Sequence, residues 1–353
     1  MATKYDVIFQ NLNGWGIIIL NREKALNALT LEMVRRINDI LIKCGENEQI
    51  RGVLIKGKGR AFCAGADIRA LYNAGKNAHE TLPRDFYREE YVLNRRIFMY
   101  PKPYIALLDG ITMGGGAGIS IHGTYRVVTE NLLFAMPETG IGFFPDVGST
   151  YFLSRLPGEI GMFLGLTGAR IRAADMIYLG LGTHFIPAAD IGKLEDALVT
   201  HCIGEFSTEQ ISSVLSSYSR DPGIPPLSEH RAEIDRCFGK DSVEEIISAL
   251  KEEKTEWSSS ILPQLLTKSP TSMKVTYRQI RQGKKLDFDT VLQVEYRLSQ
   301  KFMIQDDYYE GVRATIIDKD FSPKWHPDSL KKVSAKDVDD FFEPVTENEL
   351  RFH

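Results

Sequence analysis

Asp109-Gly110-Ile111-Thr112-Met113-Gly114-Gly115-Gly116-Ala117-Gly118 places five glycines in ten residues, directly after the apolar run Tyr104 to Asp109. The run reads as a strand, and the segment beyond the glycines reads as a helix. Glycine loses more backbone freedom on folding than any other residue, so three in a row argue for a close backbone approach. Amides at the start of a helix are left unpaired by the helix itself and point outward, where they suit an oxygen carrying negative charge. Taken alone, the stretch reads equally well as an ordinary glycine loop.

Two further glycine-bounded stretches change that balance. Gly57-Lys58-Gly59-Arg60-Ala61-Phe62-Cys63-Ala64-Gly65-Ala66-Asp67-Ile68-Arg69 also follows a short apolar strand, Gly52 to Lys56, and opens a helix that Asp67 is placed to cap. If its amides faced those of the glycine triplet, the two turns would form a two-donor oxyanion hole; losing one such donor typically costs about 2.7–4 kcal/mol of transition-state stabilisation. Cys63 has no His or Asn partner nearby in sequence and reads as a buried structural thiol. The third stretch is Phe134-Ala135-Met136-Pro137-Glu138-Thr139-Gly140-Ile141-Gly142-Phe143-Phe144-Pro145-Asp146-Val147-Gly148. It sets two carboxyl groups, Glu138 and Asp146, among Met136, Phe143, Phe144 and Val147. Desolvation there would raise a carboxyl pKa toward the range useful for proton transfer, although capping or solvent-facing acids are the competing reading.

Outward from these stretches the chain alternates short strands and helices. Tyr5 to Leu12 and Trp15 to Asn21 read as a hairpin turned at Asn13-Gly14. Thr30 caps a helix expected to run to Cys44, with Leu31, Val34, Ile37 and Leu41 on one face and Gly45 at its stop. Arg84 to Met99 reads as helix, and Arg126 to Thr129 and Leu133 to Met136 as strands. From about Gly158 the texture becomes helical, through Gly192 to Cys202, Thr208 to Ser219, Val243 to Lys251 and Phe288 to Phe302, with a break at the three prolines of Asp221 to Pro226. The division expected is a mixed α/β region over residues 1–205 and a mainly helical region over 206–353.

Composition excludes several classes. The 353 residues are 43% hydrophobic and 25% charged, ordinary for a folded globular chain. The net charge is -4, from 43 Lys+Arg against 47 Asp+Glu, so no overall positive field exists to hold nucleic acid or an anionic membrane. Apolar runs such as Gly16 to Leu20 fall far short of the roughly 20 residues that span a bilayer. Met1 to Tyr5 shows no apolar signal region, and Arg351-Phe352-His353 is not a peroxisomal address. Cys44, Cys63, Cys202 and Cys237 form no Cys-x-x-Cys pair, and the seven histidines show no metal-ligand spacing, so no metal is expected. Gly75-Lys76-Asn77 and Gly192-Lys193-Leu194 lack the hydroxyl residue of a P-loop. Phe62 stands where a dinucleotide fingerprint needs its third glycine, and no Gly-x-Ser-x-Gly elbow occurs.

The three glycine-bounded stretches, in this order, resemble the crotonase (enoyl-CoA hydratase/isomerase) superfamily. Arg88-Glu89-Glu90-Tyr91, Glu310-Gly311-Val312-Arg313-Ala314 and Ser322-Pro323-Lys324-Trp325 are similar to a branch that hydrolyses 3-hydroxyacyl-CoA thioesters, and the likeness runs from about Trp15 to Trp325. It implies an α/β fold, a spiral of ββα repeats with a helical C-terminal region. It also implies an acyl-CoA substrate, coenzyme A being part of that substrate and no separate cofactor being needed. By the resemblance, the amides of Ala66 and Gly115 hold the thioester oxygen, Glu138 and Asp146 carry the chemistry, and Glu90, Gly65, Asp67, Arg69 and Gly114 line the substrate. Hydratases of the superfamily use two glutamates. Here the first position is Gly118 and only the second, Glu138, is kept, while Asp146 replaces a small residue. The resemblance therefore favours hydrolysis of a 3-hydroxyisobutyryl or 3-hydroxypropionyl thioester over hydration, with valine breakdown in the mitochondrial matrix as the setting. An enoyl-CoA isomerase running on one carboxylate and a non-catalytic acyl-CoA-binding member stay open, as does a homo-oligomer.

Overall fold

The computed structural model of the chain describes residues 5–77, 81–201, 207–345 and 349–352. The expected boundary at 205/206, the expected helix end at Cys202, and His353 lie outside the described residues. Two compact units alternate along the chain. One comprises the residues up to Ala66, Val92–Phe134 and Ile171–Pro226; the other comprises Asp67–Tyr91, Ala135–Arg170 and the residues from Leu227 onward. The last crossover falls at Pro226, the end of the proline-rich break.

The first unit is built on strands. β1 (Val7–Leu12) and β2 (Trp15–Leu20) form the expected hairpin, Leu12 opposite Trp15. Asn13 at φ 50° and Gly14 at φ 87° make the left-handed two-residue turn that Asn-Gly favours. β3 (Gly52–Gly57), β5 (Tyr104–Leu108), β7 (Tyr125–Val128) and β9 (His184–Phe185) then add in parallel, giving the sheet order β1-β2-β3-β5-β7-β9. Three short strands, β4 (Ala61–Cys63), β6 (Ile111–Met113) and β8 (Leu133–Ala135), form a second sheet in that order. Of these only β8 was legible as a strand; β4 and β6, equally short, lie inside glycine-bounded stretches that read as turns.

Along the chain one pattern therefore recurs: a longer strand of the first sheet, a short strand of the second, then a helix or helical turn. β3 and β4 lead to α2 (Ile68–Gly75), β5 and β6 to the four-residue turn Gly115–Gly118, and β7 and β8 to the 3-10 turn Glu138–Ile141. Each of the three quoted stretches covers the same place in its repeat, the short strand or its end and the turn just beyond it. This is the spiral ββα arrangement expected from the resemblance.

Alternation with period two puts Trp15 and Ile17, Leu54, Ile105 and Leu107, and Tyr125 and Val127 on one face of the main sheet. They pack on Leu194 and Leu198 of helix Ile191–His201 and on Ile211 and Leu215 of helix Thr208–Tyr218. The indole of Trp15 donates to the Leu198 carbonyl at 3.1 Å, so even the one polar atom of this large buried side chain is satisfied. α1 (Leu31–Glu46) is capped by Thr30, whose hydroxyl accepts from the Met33 amide at 3.2 Å. It does not stop at Gly45 as expected. Gly45 stays helical, and the Asn47 amide closes the last turn on the Lys43 carbonyl.

In the second unit the described C-terminal elements are all helical. Phe288–Phe302 is a helix with the expected ends, capped by Asp287, and Val243–Glu253 runs two residues past its expected end. α3 (Leu82–Phe98) begins two residues earlier than expected, because Pro83 is tolerated in a first helical turn.

The glycines give a direct test of this packing. A methyl on Gly116 would lie 2.3 Å from the Cys63 carbonyl oxygen, whereas a methyl on Gly192 would meet nothing within 4 Å. Gly116→Ala should destabilise by at least about 1–3 kcal/mol or abolish soluble expression. Gly192→Ala should be neutral or stabilise by about 0.5–1 kcal/mol. Urea unfolding of both variants checks the ranking, and equal midpoints would contradict the close contact at Gly116.

Candidate functional site

In the first unit the loops after β4 and β6 run side by side. The strands pair in parallel, Ala61 opposite Ile111 and Cys63 opposite Thr112. Gly65, at φ +112°, turns its bare Cα toward the second loop; a methyl there would sit 3.4 Å from the Met113 carbonyl oxygen and 3.9 Å from the Gly115 nitrogen. Gly114, at φ +47° and ψ -119°, turns the chain out of β6 into the Gly115–Gly118 turn, a conformation closed to residues with a side chain. The first loop is anchored by the Leu29 amide, which donates to the Gly65 carbonyl at 2.8 Å, and by a parallel bridge between Leu29 and Ala66. Among the described residues neither the Ala66 nor the Gly115 amide donates to a protein acceptor. Two unpaired N–H groups on adjoining loops are what an oxyanion site requires.

The close approach inferred from the triplet is thus real, but at Gly116 the approaching partner is the chain's own backbone. Cys63 is fully buried, its thiol donating to the Gly65 carbonyl at 3.6 Å, which fits the structural reading of that residue.

The remaining candidates lie in the second unit. Asp67 caps α2, accepting from the Ala70 amide at 3.1 Å, as its position suggested. Arg69 is exposed and donates to the Ile316 carbonyl at 2.9 Å, so both side chains already have a protein partner. The acids are different. Glu90, on α3, is 1% exposed, Glu138 is 6% and Asp146 is 5%. Tyr91 donates its hydroxyl to Asp146 Oδ2 at 2.8 Å. Glu90 Oε1 and Glu138 Oε2 are buried with no hydrogen-bond partner among the described residues.

Burial, and then the negative charge of Asp146, push the Glu90 and Glu138 carboxyls well above their usual range; each of these two acids sits close enough to the others to repel their ionised forms. Burial lifts Asp146 to about 7, with the Tyr91 hydroxyl working in the opposite direction. No cation is among the charges that shift these groups. An unpartnered buried carboxyl costs free energy, and such groups concentrate where a proton must be moved. Aromatic walls exclude water here: Phe143 stacks on Tyr87 at 5.3 Å between centroids and meets Tyr308 edge-on at 5.7 Å.

A fourth buried acid went unnoticed in the sequence. Glu295, on helix Phe288–Phe302, accepts from the Gly148 amide at 2.6 Å, the Thr150 amide at 2.9 Å and the Thr150 hydroxyl at 2.6 Å. Burial raises its carboxyl to about 8 against the pull of those donors. A signal was present: position 295 falls inside the apolar stripe formed by Phe288, Val291, Leu292, Tyr296 and Phe302. Among the described residues no cluster of three or more His, Cys, Asp or Glu side chains is arranged to hold a metal ion, and no helix is long and apolar enough to cross a membrane.

The raised acids fix how stability depends on pH. Asp146 and Glu295 hold their protons to about 7 and 8 in the fold but release them near 3.8 and 4.5 in an unfolded chain. The stability they contribute is complete below those lower values and is lost as pH rises through the folded ones. Between pH 5 and 8 the melting temperature of the wild type should therefore fall more steeply than that of Asp146→Asn. Parallel melting curves across that range would remove Asp146 from the raised set.

Comparison with known proteins agrees with the geometry. The Enoyl-CoA hydratase/isomerase family model matches residues 15–342. The chain is 47% identical to "3-hydroxyisobutyryl-CoA hydrolase, mitochondrial" of Danio rerio over 98% of its own length and 91% of that protein's, and 44% identical to the Homo sapiens protein of the same name with the same coverage. Among solved structures, a carnitinyl-CoA dehydratase from Mycobacterium thermoresistibile superposes with a TM-score of 0.92 at 38% identity, covering 98% of both chains. An enoyl-CoA hydratase from Rhodobacter sphaeroides 2.4.1 gives 0.90 at 36% identity over 99% of this chain and all of the other. With its ββα repeats, its paired glycine loops and this breadth of likeness, the chain belongs to the enoyl-CoA hydratase/isomerase family.

Proposed function

We propose that the chain is an acyl-CoA thioester hydrolase that converts 3-hydroxyisobutyryl-CoA to 3-hydroxyisobutyrate and free coenzyme A. The observation that carries this reading is Glu138, a buried carboxyl with an unpartnered oxygen and a raised pKa. Its name-giving relatives are hydrolases, while the two solved structures of similar fold carry hydratase and dehydratase titles. Gly118 favours the hydrolases. At the position where hydratases of this superfamily carry their other glutamate, this chain has no side chain to act as a second acid or base.

In the mechanism we infer, the amides of Ala66 and Gly115 take the charge that develops on the thioester oxygen. Those dipoles are fixed before the reaction, so no reorganisation is needed as the tetrahedral intermediate forms. Glu138 either activates water or attacks the carbonyl carbon itself, giving an anhydride that water opens. In both routes a new C–O bond replaces the C–S bond, and the departing thiolate takes a proton. Desolvation makes Glu138 a stronger base once ionised than an ordinary glutamate, and a competent proton donor while it is not.

Asp146 and Glu90 orient the substrate's 3-hydroxyl and the water. Gly65 and Gly114 leave room for the acyl group beside the amides, and Asp67 and Arg69 lie farther along the coenzyme A arm. The reaction needs neither a metal nor a redox cofactor. The mitochondrial matrix, valine breakdown and assembly into a homo-oligomer belong to the same reading, the first supported by the relatives' names.

Thiol release from 3-hydroxyisobutyryl-CoA, followed with a thiol reagent, tests the proposal. Glu138→Gln should lower kcat by about 10²–10⁴ while the protein stays folded, and near-normal turnover would take Glu138 out of the chemistry. The matching thioester without the 3-hydroxyl should be cleaved with a kcat/KM on the order of 10⁴ lower, because the acids built to hold that hydroxyl would be left unpaired. Equal rates would refute their assigned role. Migration of a double bond in an enoyl-CoA with no thiol released would identify an isomerase instead.

A further inference from the structure

The turn that presents Asp146 holds a conformation its own sequence disfavours. Val147 has φ +55°, in the left-handed region where a β-branched side chain crowds its own backbone. Strained residues of this kind persist only where the surroundings over-determine them. Here two helices do so. From helix Pro270–Gly283, Gln279 donates its side-chain amide to the Pro145 carbonyl at 2.5 Å and to the Thr150 hydroxyl at 2.6 Å. From helix Phe288–Phe302, the Glu295 carboxyl group accepts from the Gly148 and Thr150 amides and from the Thr150 hydroxyl. Both ends of the turn are tied, and Asp146 and Val147 lie between the ties.

A buried carboxyl group is an expensive way to obtain stability alone, since well-packed apolar residues of similar volume often do as well or better. Glu295 is fully buried and has no part in the chemistry assigned above. We propose that Glu295 is a positioning residue: it clamps the Pro145–Thr150 turn against the strain at Val147, so that the Asp146 carboxyl stays where Tyr91 can donate to it. The groups that face Asp146 are Tyr91 and Glu90 from α3, Glu138 from the preceding turn, Tyr87, Tyr308 and Glu295 itself. None is cationic, so the alignment of Asp146 rests on hydrogen bonds and on the backbone that carries it. The effect of the clamp on turnover rests on the hydrolase reading; its hold on Asp146 does not.

The test uses the full chain with Glu295→Gln, alone and combined with Val147→Gly. Glutamine keeps the size of the side chain but turns an NH₂ toward donors that need an acceptor. Glycine at 147 adopts the left-handed conformation without strain, which makes the clamp dispensable. Glu295→Gln should lower kcat by roughly tenfold to a hundredfold while KM for the thioester stays within about threefold, and the double variant should recover most of the loss.

A readout independent of activity is the titration of the Asp146 carboxyl, followed by carbon-13 NMR. Its midpoint should rise in Glu295→Gln, as the Tyr91 donor that lowers it is lost, and return part of the way in the double variant. Unchanged kcat in folded Glu295→Gln, or a double variant no better than the single, overturns the proposal. If the wild type releases no thiol, the hydrolase reading fails, and an unmoved Asp146 midpoint in Glu295→Gln then decides against the clamp. Should Glu295→Gln not fold, Thr150→Val, which deletes one of the three donors, must show the same kcat loss at constant KM; no change there also overturns it.

Discussion

The backbone passing over Cys63 at Gly116 is the contact on which the site depends. With 2.3 Å between a would-be methyl and the Cys63 carbonyl oxygen, the two loops can adjoin only if one of them carries hydrogen in place of a side chain. That proximity brings Gly65 and the Gly115 nitrogen together and leaves two amides on neighbouring loops free of protein acceptors. Backbone donors placed this way are rigid, since their positions are set by the β4–β6 pairing and not by rotamers. Two unpaired main-chain donors on neighbouring loops thus come almost automatically from the packing of two successive repeats.

The acids follow a different logic. Glu90, Glu138, Asp146 and Glu295 bring four carboxyl groups into the interior of one unit, where desolvation and mutual repulsion both oppose ionisation. The fold deals with them unequally. Glu295 receives three donors and Asp146 receives a tyrosine hydroxyl, while Glu90 and Glu138 each keep an oxygen without a partner. That inequality separates their roles. In the proposed site the satisfied Glu295 carboxyl holds structure, and the unsatisfied ones are left to a substrate. A site optimised for stability would satisfy all four or replace them with apolar side chains.

Much of this was legible in the sequence because it rests on local rules. Asn13-Gly14 requires a tight turn, Thr30 and Asp67 announce helix starts, and the helix Phe288–Phe302 follows from its apolar period alone. Glu138 and Asp146 stood out because acids are rare in such an apolar, glycine-rich run. What escaped was set by tertiary contacts. β4 and β6 lie inside glycine-bounded stretches that read as turns, and they exist as strands because they pair with each other. Gly45 reads as a stop signal, yet the helix ignores it, since glycine permits a left-handed cap without enforcing one. Val147 gives no hint of a positive φ, because nothing in a valine predicts a conformation that other residues impose on it. Glu295 was hidden by its helix: charged residues on an amphipathic helix are ordinarily solvated, and only its place within the stripe betrays it.

The repeat architecture also explains how one fold serves both hydratases and hydrolases. Each ββα unit ends in a turn just beyond its short strand, and each such turn carries one element of the proposed site: an amide at Ala66, an amide at Gly115, a carboxyl at Glu138. The amides are fixed by backbone packing and cannot be exchanged without disturbing the fold. The side chains can. Replacing an acid by Gly118 at the end of the second turn removes an acid/base group at little structural cost, because no strand pairing depends on it. Adding Asp146 is harder: it needs a turn strained at Val147 and two helices to hold it. A change of reaction within the scaffold is therefore limited less by the catalytic side chain itself than by the supports that the side chain requires, which here come from the helical C-terminal part of the chain.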